Sequence, residues 1–443
     1  MAPPVDPLPA RRAGRLAVVV GDQAVLFVHL VRLVVLGAVV GVLAGVSAFV
    51  FLEGLDLVTE TRLDHGWLVW LLPVAGLGIG LVTHHLGGRA NRGTALILDE
   101  IHAPEAWVPR RMAPLVLVGT WVTHLFGGSA GREGTALQLA GSLTDTAARV
   151  LRLRGEDRRL LLVAALSGGF GAVFGVPLAG AVFGLEVPSI GRVRYEALVP
   201  ALSASLVGDL VVRGLGHAHA VRAPLDLDVT WATAGKVALA GVVFGLVGAV
   251  FVEAVDAVRG LAGRLVSWPP LRPALGGAAV AVLSLLVGRD YLGLSLPLID
   301  RALAGDALSF GVFALKLVFT AVTLGCAFPG GEVTPLFVIG ATLGAALATP
   351  LGLPVEALAA IGFVAVFAGA ANTPLACTVM AAELFGASSV ALVAVACVVA
   401  YVCSSHRGIY PSQRIHASKG PRPVTGRPTL HAWRHRSGGD PQG

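Results

Sequence analysis

Gly131-Arg132-Glu133-Gly134-Thr135-Ala136-Leu137 and Gly330-Gly331-Glu332-Val333-Thr334-Pro335-Leu336 are two versions of one pattern. In each, a glycine-rich polar break carries a glutamate and runs into an apolar, helix-forming stretch, and a further glycine, Gly141 or Gly340, follows the leucine by four residues. Glu133 and Glu332 stand 199 residues apart. A second pattern recurs at an offset of 197: Phe170 precedes Pro177-Leu178-Ala179 as Phe367 precedes Pro374-Leu375-Ala376, and Glu186 and Glu383 follow at equal distances. Two ordered matches at nearly one offset mean that the chain is a duplication.

Around these breaks the chain is made for lipid. Of its 443 residues, 55% are hydrophobic and only 14% charged, and the mean hydropathy is +0.78, which is more apolar surface than one aqueous core can bury. Residues 24–52, 67–86, 234–254 and 386–403 are apolar runs of the length, on the order of 18 to 25 residues, that crosses a hydrocarbon layer. The fold class expected is an all-helical polytopic membrane protein built as an inverted repeat. Paired interrupted segments in corresponding halves mark a transport site, and irregular backbone at membrane depth is tolerated only where protein or water satisfies it. The breaks are therefore expected to meet near the midplane. A helix N-terminus there offers free N–H groups and a positive dipole end, which suits an anion.

Glu133 is the first candidate for control of that site. A carboxylate at a helix start competes with an external anion for the same place, and one that leaves when protonated couples the ion path to protons. The alternative is that it only caps its helix. Glu332 is set opposite by the repeat, where two nearby carboxylates favour a shared or shuttled proton; it could instead cap its own helix or bind Thr334. Gly131 and Arg132 in the first break, Val333 in the second, Phe174 and Gly175 before the first Pro-Leu-Ala, and Asn372 and Thr373 before the second complete the candidates along the path.

These stretches resemble the CLC family of anion channels and proton-coupled anion antiporters. The resemblance rests on the run from Gly131 to Gly134, on residues 171–186 with Pro177-Leu178-Ala179-Gly180, and on Gly330 to Pro335, and it extends to about Gln413. It implies the CLC-type inverted-repeat fold, a homodimer with one pathway per subunit, and Glu133 as gate and proton acceptor. Residues 96–102, 332–343 and 367–377, with Thr135 in place of a proline and Val187 where chloride exchangers carry an internal proton glutamate, are closer to the fluoride/proton antiporter branch. Gly93 and Thr94 match the first anion-binding loop, but Thr94 is neither the serine of chloride members nor the methionine or asparagine of fluoride members. Tyr410 matches the family tyrosine that donates to the anion; a belt tyrosine at the membrane interface is the rival reading. The function implied is fluoride export in exchange for protons, with a chloride/proton exchanger or passive halide channel as the alternative.

The organisation expected is a leader at 1–24, a first repeat at 25–217, a connector at 218–233, a second repeat at 234–405 and a flexible basic tail at 406–443. The first apolar run is too long for a cleavable signal. Basic residues cluster in Arg11, Arg12 and Arg15, in Arg152, Arg154, Arg158 and Arg159, and in the tail, so the positive-inside rule puts both ends in the cytoplasm. The net charge of +6 then reflects topology and anionic lipid rather than nucleic acid, because no basic patch is interleaved with aromatics. Cys326, Cys377, Cys397 and Cys403 lack metal spacing and read as small core hydrophobes. His84-His85 and His217-Ala218-His219 have no carboxylate partners nearby in sequence, so no metal is expected. No phosphate-cradling loop appears, no cofactor is implied, and no nucleophile or metal set beside the glutamates suggests an enzyme.

Overall fold

In the computed structural model, residues 8–220, 222–421, 424 and 426–436 are described, with side chains from 23 to 434 outside the gaps. The first half contributes α1 (Leu8–Asp64), α2 (Leu72–Val82), α3 (Thr94–His102), α4 (Met112–Leu125), α5 (Glu133–Val150), α6 (Gly155–Phe174), α7 (Pro177–Glu186) and α8 (Leu198–Gly214). The second contributes α9 (Trp231–Leu265), α10 (Leu271–Val287), α11 (Leu296–Leu303), α12 (Phe310–Gly325), α13 (Val333–Leu351), α14 (Val355–Ala371), α15 (Pro374–Phe385) and α16 (Val390–Cys403). Among the described residues, five segments, including Gln23–Asp64 and Trp231–Leu265, are long and apolar enough to cross a membrane.

Burial sorts the helices into a centre and a rim. Every residue of α14 from Ala357 to Ala371 is buried, and α13 and the second half of α6 are buried on all sides, as expected of helices with no polar face. The outer helices turn Leu and Val outward, for example Val39, Val42, Leu239, Leu246, Leu285 and Val398. Lipid tails are as apolar as these side chains, so association depends on close packing. Glycine makes that possible where α13 meets α14: a Cβ on Gly340 would stand 2.0 Å from the Gly362 carbonyl oxygen. The same device repeats in the two halves. Gly41 and Gly45 of α1 lie against the Ala204 and Gly208 carbonyls of α8, and Gly241 and Gly245 of α9 lie against those of Ala396 and Ala400 on α16.

The connector is the stretch between Gly214 and Trp231, and Thr230 caps α9 by accepting from the Thr233 N–H at 3.1 Å. The tail differs from expectation. Rather than being flexible throughout, it folds back: β2 (Arg414–Ile415) pairs in parallel with β1 (Ser189–Ile190), and α17 (Leu430–Arg436) follows. Ile190, Ile415 and Leu430 form a small core with Tyr401 and Trp433, and Arg434 pairs with Glu253 and Asp256 of α9 at 2.8 Å each. High polarity and several prolines suggested disorder, but a few apolar residues and ion pairs to α9 suffice to dock the segment. Residues 437–443, like the leader's first seven, lie outside the described residues.

Candidate anion and proton site

The two glycine-rich breaks meet. Gly131 and Gly331 form an antiparallel bridge, each N–H donating to the other's carbonyl at 2.7 and 2.9 Å. Backbone that belongs to no helix is thus satisfied across the two halves, as membrane depth requires. Immediately after the bridge α5 and α13 begin, so their N-terminal turns face one another.

Glu133 is fully buried, and its carboxylate occupies the N-terminus of the other half's helix. One oxygen accepts from the Val333 N–H at 2.5 Å; the other accepts from the Thr334 N–H at 3.1 Å, the Thr334 hydroxyl at 3.0 Å and the Arg132 N–H at 3.0 Å. The expectation that it might cap its own helix therefore gives way to a cap across the halves. The seat needs glycine, because a Cβ on Gly331 would stand 2.0 Å from the carboxylate oxygen. Thr334 is committed to Glu133, so it is not the partner of Glu332. Thr135, where a proline was noted missing, joins its hydroxyl to that of Thr120 on α4 at 2.6 Å.

The remaining sequence candidates divide between two sides. A cavity of about 1470 Å³ is lined by Gly93, Thr94, Glu332 and Tyr410, and also by Gly134 and Gln138. Gln138 is an addition to the sequence set; one turn into α5 from Glu133, it lies beside Gly93. On the other side, the Arg132 guanidinium stands 5.5 Å over the Phe174 ring, and Gly175, at φ +69°, leaves room for His219 of the connector. Burial holds the His219 imidazole down at about 4, helped by the positive Arg132, so this ring is neutral at physiological pH.

Three candidates have mainly packing roles. Phe174 joins an aromatic cluster with Phe170 and Phe337, in which Phe170 also stacks on its repeat counterpart Phe367 with centroids 6.1 Å apart. Asn372 and Thr373, expected along the path, are buried and do not line the cavity. Asn372 takes the left-handed conformation that ends α14 (φ +60°) and donates to the Gln413 side chain and the Arg407 carbonyl; Thr373 turns to Cys377. The helix end that suggested an ion contact is closed by protein groups.

Other polar groups that join distant elements were missed from sequence. Glu186 accepts from the N–H groups of Leu375 and Ala376 at the start of α15, and Glu383 accepts from those of Leu178 and Ala179 at the start of α7. The motif had been noted as a repeat marker, yet its equal spacing was the signal for this exchange. Lys316, fully buried on α12, donates to the Ser129 and Ser295 hydroxyls and the Tyr291 and Gly293 carbonyls, tying the first break to the loop before α11. A single lysine in an apolar helix was the available signal. Among the described residues one metal-ligand group occurs, Glu53, Asp56 and His217. The fold supplies His217 with carboxylates from α1 that its sequence neighbourhood lacks.

Crossing helices, satisfied breaks at depth and a carboxylate on a helix end between a cavity and an opposite face define a multi-span membrane ion-transport protein. The chain matches the family described as "Voltage gated chloride channel" over residues 75–405, and it belongs to that family, the CLC proteins. It is 48% identical to the "Chloride/fluoride channel protein" of Pseudomonas syringae pv. tomato, over 91% of each chain. Its structure is similar to the crystal structure of a CLC-type fluoride/proton antiporter, with a TM-score of 0.84 and 34% identity over 87% of this chain and 98% of that one. A slow cyanobacterial Cl⁻/H⁺ antiporter shares the fold at a TM-score of 0.75 and 20% identity, over 84% and 94% of the respective chains.

Proposed function

We propose that the protein is a fluoride/proton antiporter in which Glu133 alternates between its seat on α13 and a protonated state off it. The observation that carries this is the seat itself. Three donors at the start of α13 and the Arg132 N–H converge on a group bearing one negative charge, a setting that favours an anion in its place. Protonation removes the charge that holds Glu133 there and frees the donors, so anion entry and proton uptake are linked at one place. Fluoride agrees with the similar structure of a CLC-type fluoride/proton antiporter, and the Pseudomonas relative is named for chloride and fluoride together.

Glu332 lines the cavity while Glu133 is sealed from it, so Glu332 is the acceptor through which a proton reaches or leaves water on that side. This fits an apolar Val187 at the position where chloride exchangers use a glutamate. Thr94 and Tyr410 contact the anion from the cavity. Arg132 provides positive potential at the opposite mouth, and Gly131 and Val333 shape the seat with backbone.

We take the two halves as an inverted repeat, supported by the Gly131–Gly331 bridge, the exchanged Glu186 and Glu383 caps and the equivalent glycine contacts of α1 with α8 and α9 with α16. The cavity lies by the last third of α9, far from the connector where α9 starts; the basic ends support placing that cavity and both termini in the cytoplasm. The family resemblance supports a homodimer with one path per subunit, surrounded by lipid.

The experiment is reconstitution in liposomes with fluoride efflux and internal pH recorded together. Fluoride moving out while protons are driven in against their gradient supports the proposal. Efflux without pH change makes the protein a channel, and chloride moving as fast as fluoride removes the ion assignment.

A further inference from the structure

Gln413 lies in the segment that the sequence marks as tail, yet it is completely buried at the junction of both halves. Its side-chain amide donates to the Val187 carbonyl at the end of α7, at 2.8 Å, and to the Ala371 carbonyl at the end of α14, at 2.9 Å. Its oxygen accepts from Asn372 at 2.9 Å. Both donors and the acceptor are thus used, which is the full satisfaction a buried amide requires. The same residue's backbone N–H donates to the Tyr410 carbonyl at 3.0 Å, closing the turn that carries Tyr410, and its carbonyl accepts from Leu430 at the start of α17.

Tyr410 is packed in the main core: its ring is 4% exposed and meets Phe183 edge-on at 6.3 Å. Its turn is further tied by the His431 N–H to the Pro411 carbonyl at 3.1 Å. Ile409 adds one backbone bond to Ala370. The amide of Gln413 is therefore the only side chain among the described residues that joins the end of α7, the end of α14 and the Tyr410 turn. Ordering a ligand-contacting group to within a fraction of an ångström is what sets discrimination between similar ligands.

We infer that Gln413 is a positioning residue for ion selectivity: it clips the tyrosine turn to both halves and so fixes the distance from the Tyr410 hydroxyl to the anion. This rests on the proposed role of Tyr410 at the anion site. It also gives the C-terminal segment a purpose, since β2, α17 and the Arg434 pairs with α9 hold Gln413 in place from behind.

The test compares wild type, Gln413→Leu, Tyr410→Phe and the double variant, reconstituted in liposomes, by the ratio of fluoride to chloride efflux. Hydrogen exchange of residues 408–413 is recorded on the same preparations. Gln413→Leu is expected to speed exchange there and to lower the ratio by about tenfold, the equivalent of about one buried hydrogen bond of support withdrawn from the turn that positions Tyr410. The double variant is expected to be no worse than Tyr410→Phe alone, because the clip acts through the tyrosine. Asn372→Gly, which keeps the left-handed backbone and removes one partner of Gln413, gives a smaller change in the same direction and serves if Gln413→Leu does not fold. Unchanged exchange overturns the clip. Faster exchange with an unchanged ratio, or additive losses in the double variant, overturns its role in selectivity. If the wild type moves no fluoride, the proposed function fails, and the clip stands or falls on the exchange measurement alone.

Discussion

Glu186 and Glu383 exchange caps: each carboxylate accepts two N–H groups from the first turn of the helix that carries the other. Neither is visible as a partner of the other from its own surroundings in sequence. The arrangement satisfies two helix starts that would otherwise lack partners, and it ties α7 to α15.

Removing one of these carboxylates strands two donors. Glu186→Ala is expected to destabilise the protein by about 1–3 kcal/mol, the usual cost of leaving buried hydrogen-bonding groups unmade. Glu383→Ala costs less, because the Leu178 N–H is at the exposed edge. Thermal unfolding in detergent measures both. Equal or negligible shifts would mean that water replaces the carboxylates.

The seat of Glu133 depends on what is absent from Gly331. Gly331→Ala places a methyl group 2.0 Å from the carboxylate oxygen, closer than atoms can approach, so the carboxylate must leave. Fluoride flux is expected to persist while the number of protons moved per fluoride falls at least severalfold. Simultaneous recording of fluoride and pH reads this, and unchanged coupling would show that Glu133 works from another position.

Docking of the C-terminal segment is expected to strengthen as pH rises. Lys419 donates to the Tyr401 carbonyl and the Ser404 hydroxyl, and burial pulls its ammonium down from 10.5 to about 7. Between those values the undocked segment binds a proton that the docked one does not, so stability grows with pH across that window and is level below about 7. His406, lowered by burial and by Lys419, acts in the same sense at lower pH. Hydrogen exchange of residues 416–421, corrected for intrinsic rates, should be slower at pH 9 than at pH 7. The reverse order would assign the docking to the charged ammonium.

The membrane class and the meeting of the two breaks were legible because they depend on local pattern: long apolar runs, and a glutamate in a glycine-rich break that occurs twice. Glu332 was found for the same reason, Thr94 and Tyr410 from the resemblance to the CLC family, and the three line one cavity. What was not legible depends on contacts between distant segments. Glu133 takes its donors from Val333 and Thr334, about 200 residues away, so its own helix could not show what it caps. Asn372 lies beside a Pro-Leu-Ala start that looks open in sequence, yet Glu186 fills that start and Gln413 claims Asn372. The tail was misread because its composition is polar, whereas it docks through a few apolar residues such as Ile415 and Leu430, the buried Gln413 amide and charges matched to α9.

The central claim is that one carboxylate both closes the anion seat and carries the proton, and Glu133→Gln tests it most directly. The amide keeps the size of the side chain but has no charge to gain or lose. In liposomes with fluoride and pH followed together, the account predicts that this variant no longer drives protons with fluoride at any gradient. Proton movement coupled to fluoride at the wild-type ratio in Glu133→Gln would contradict it.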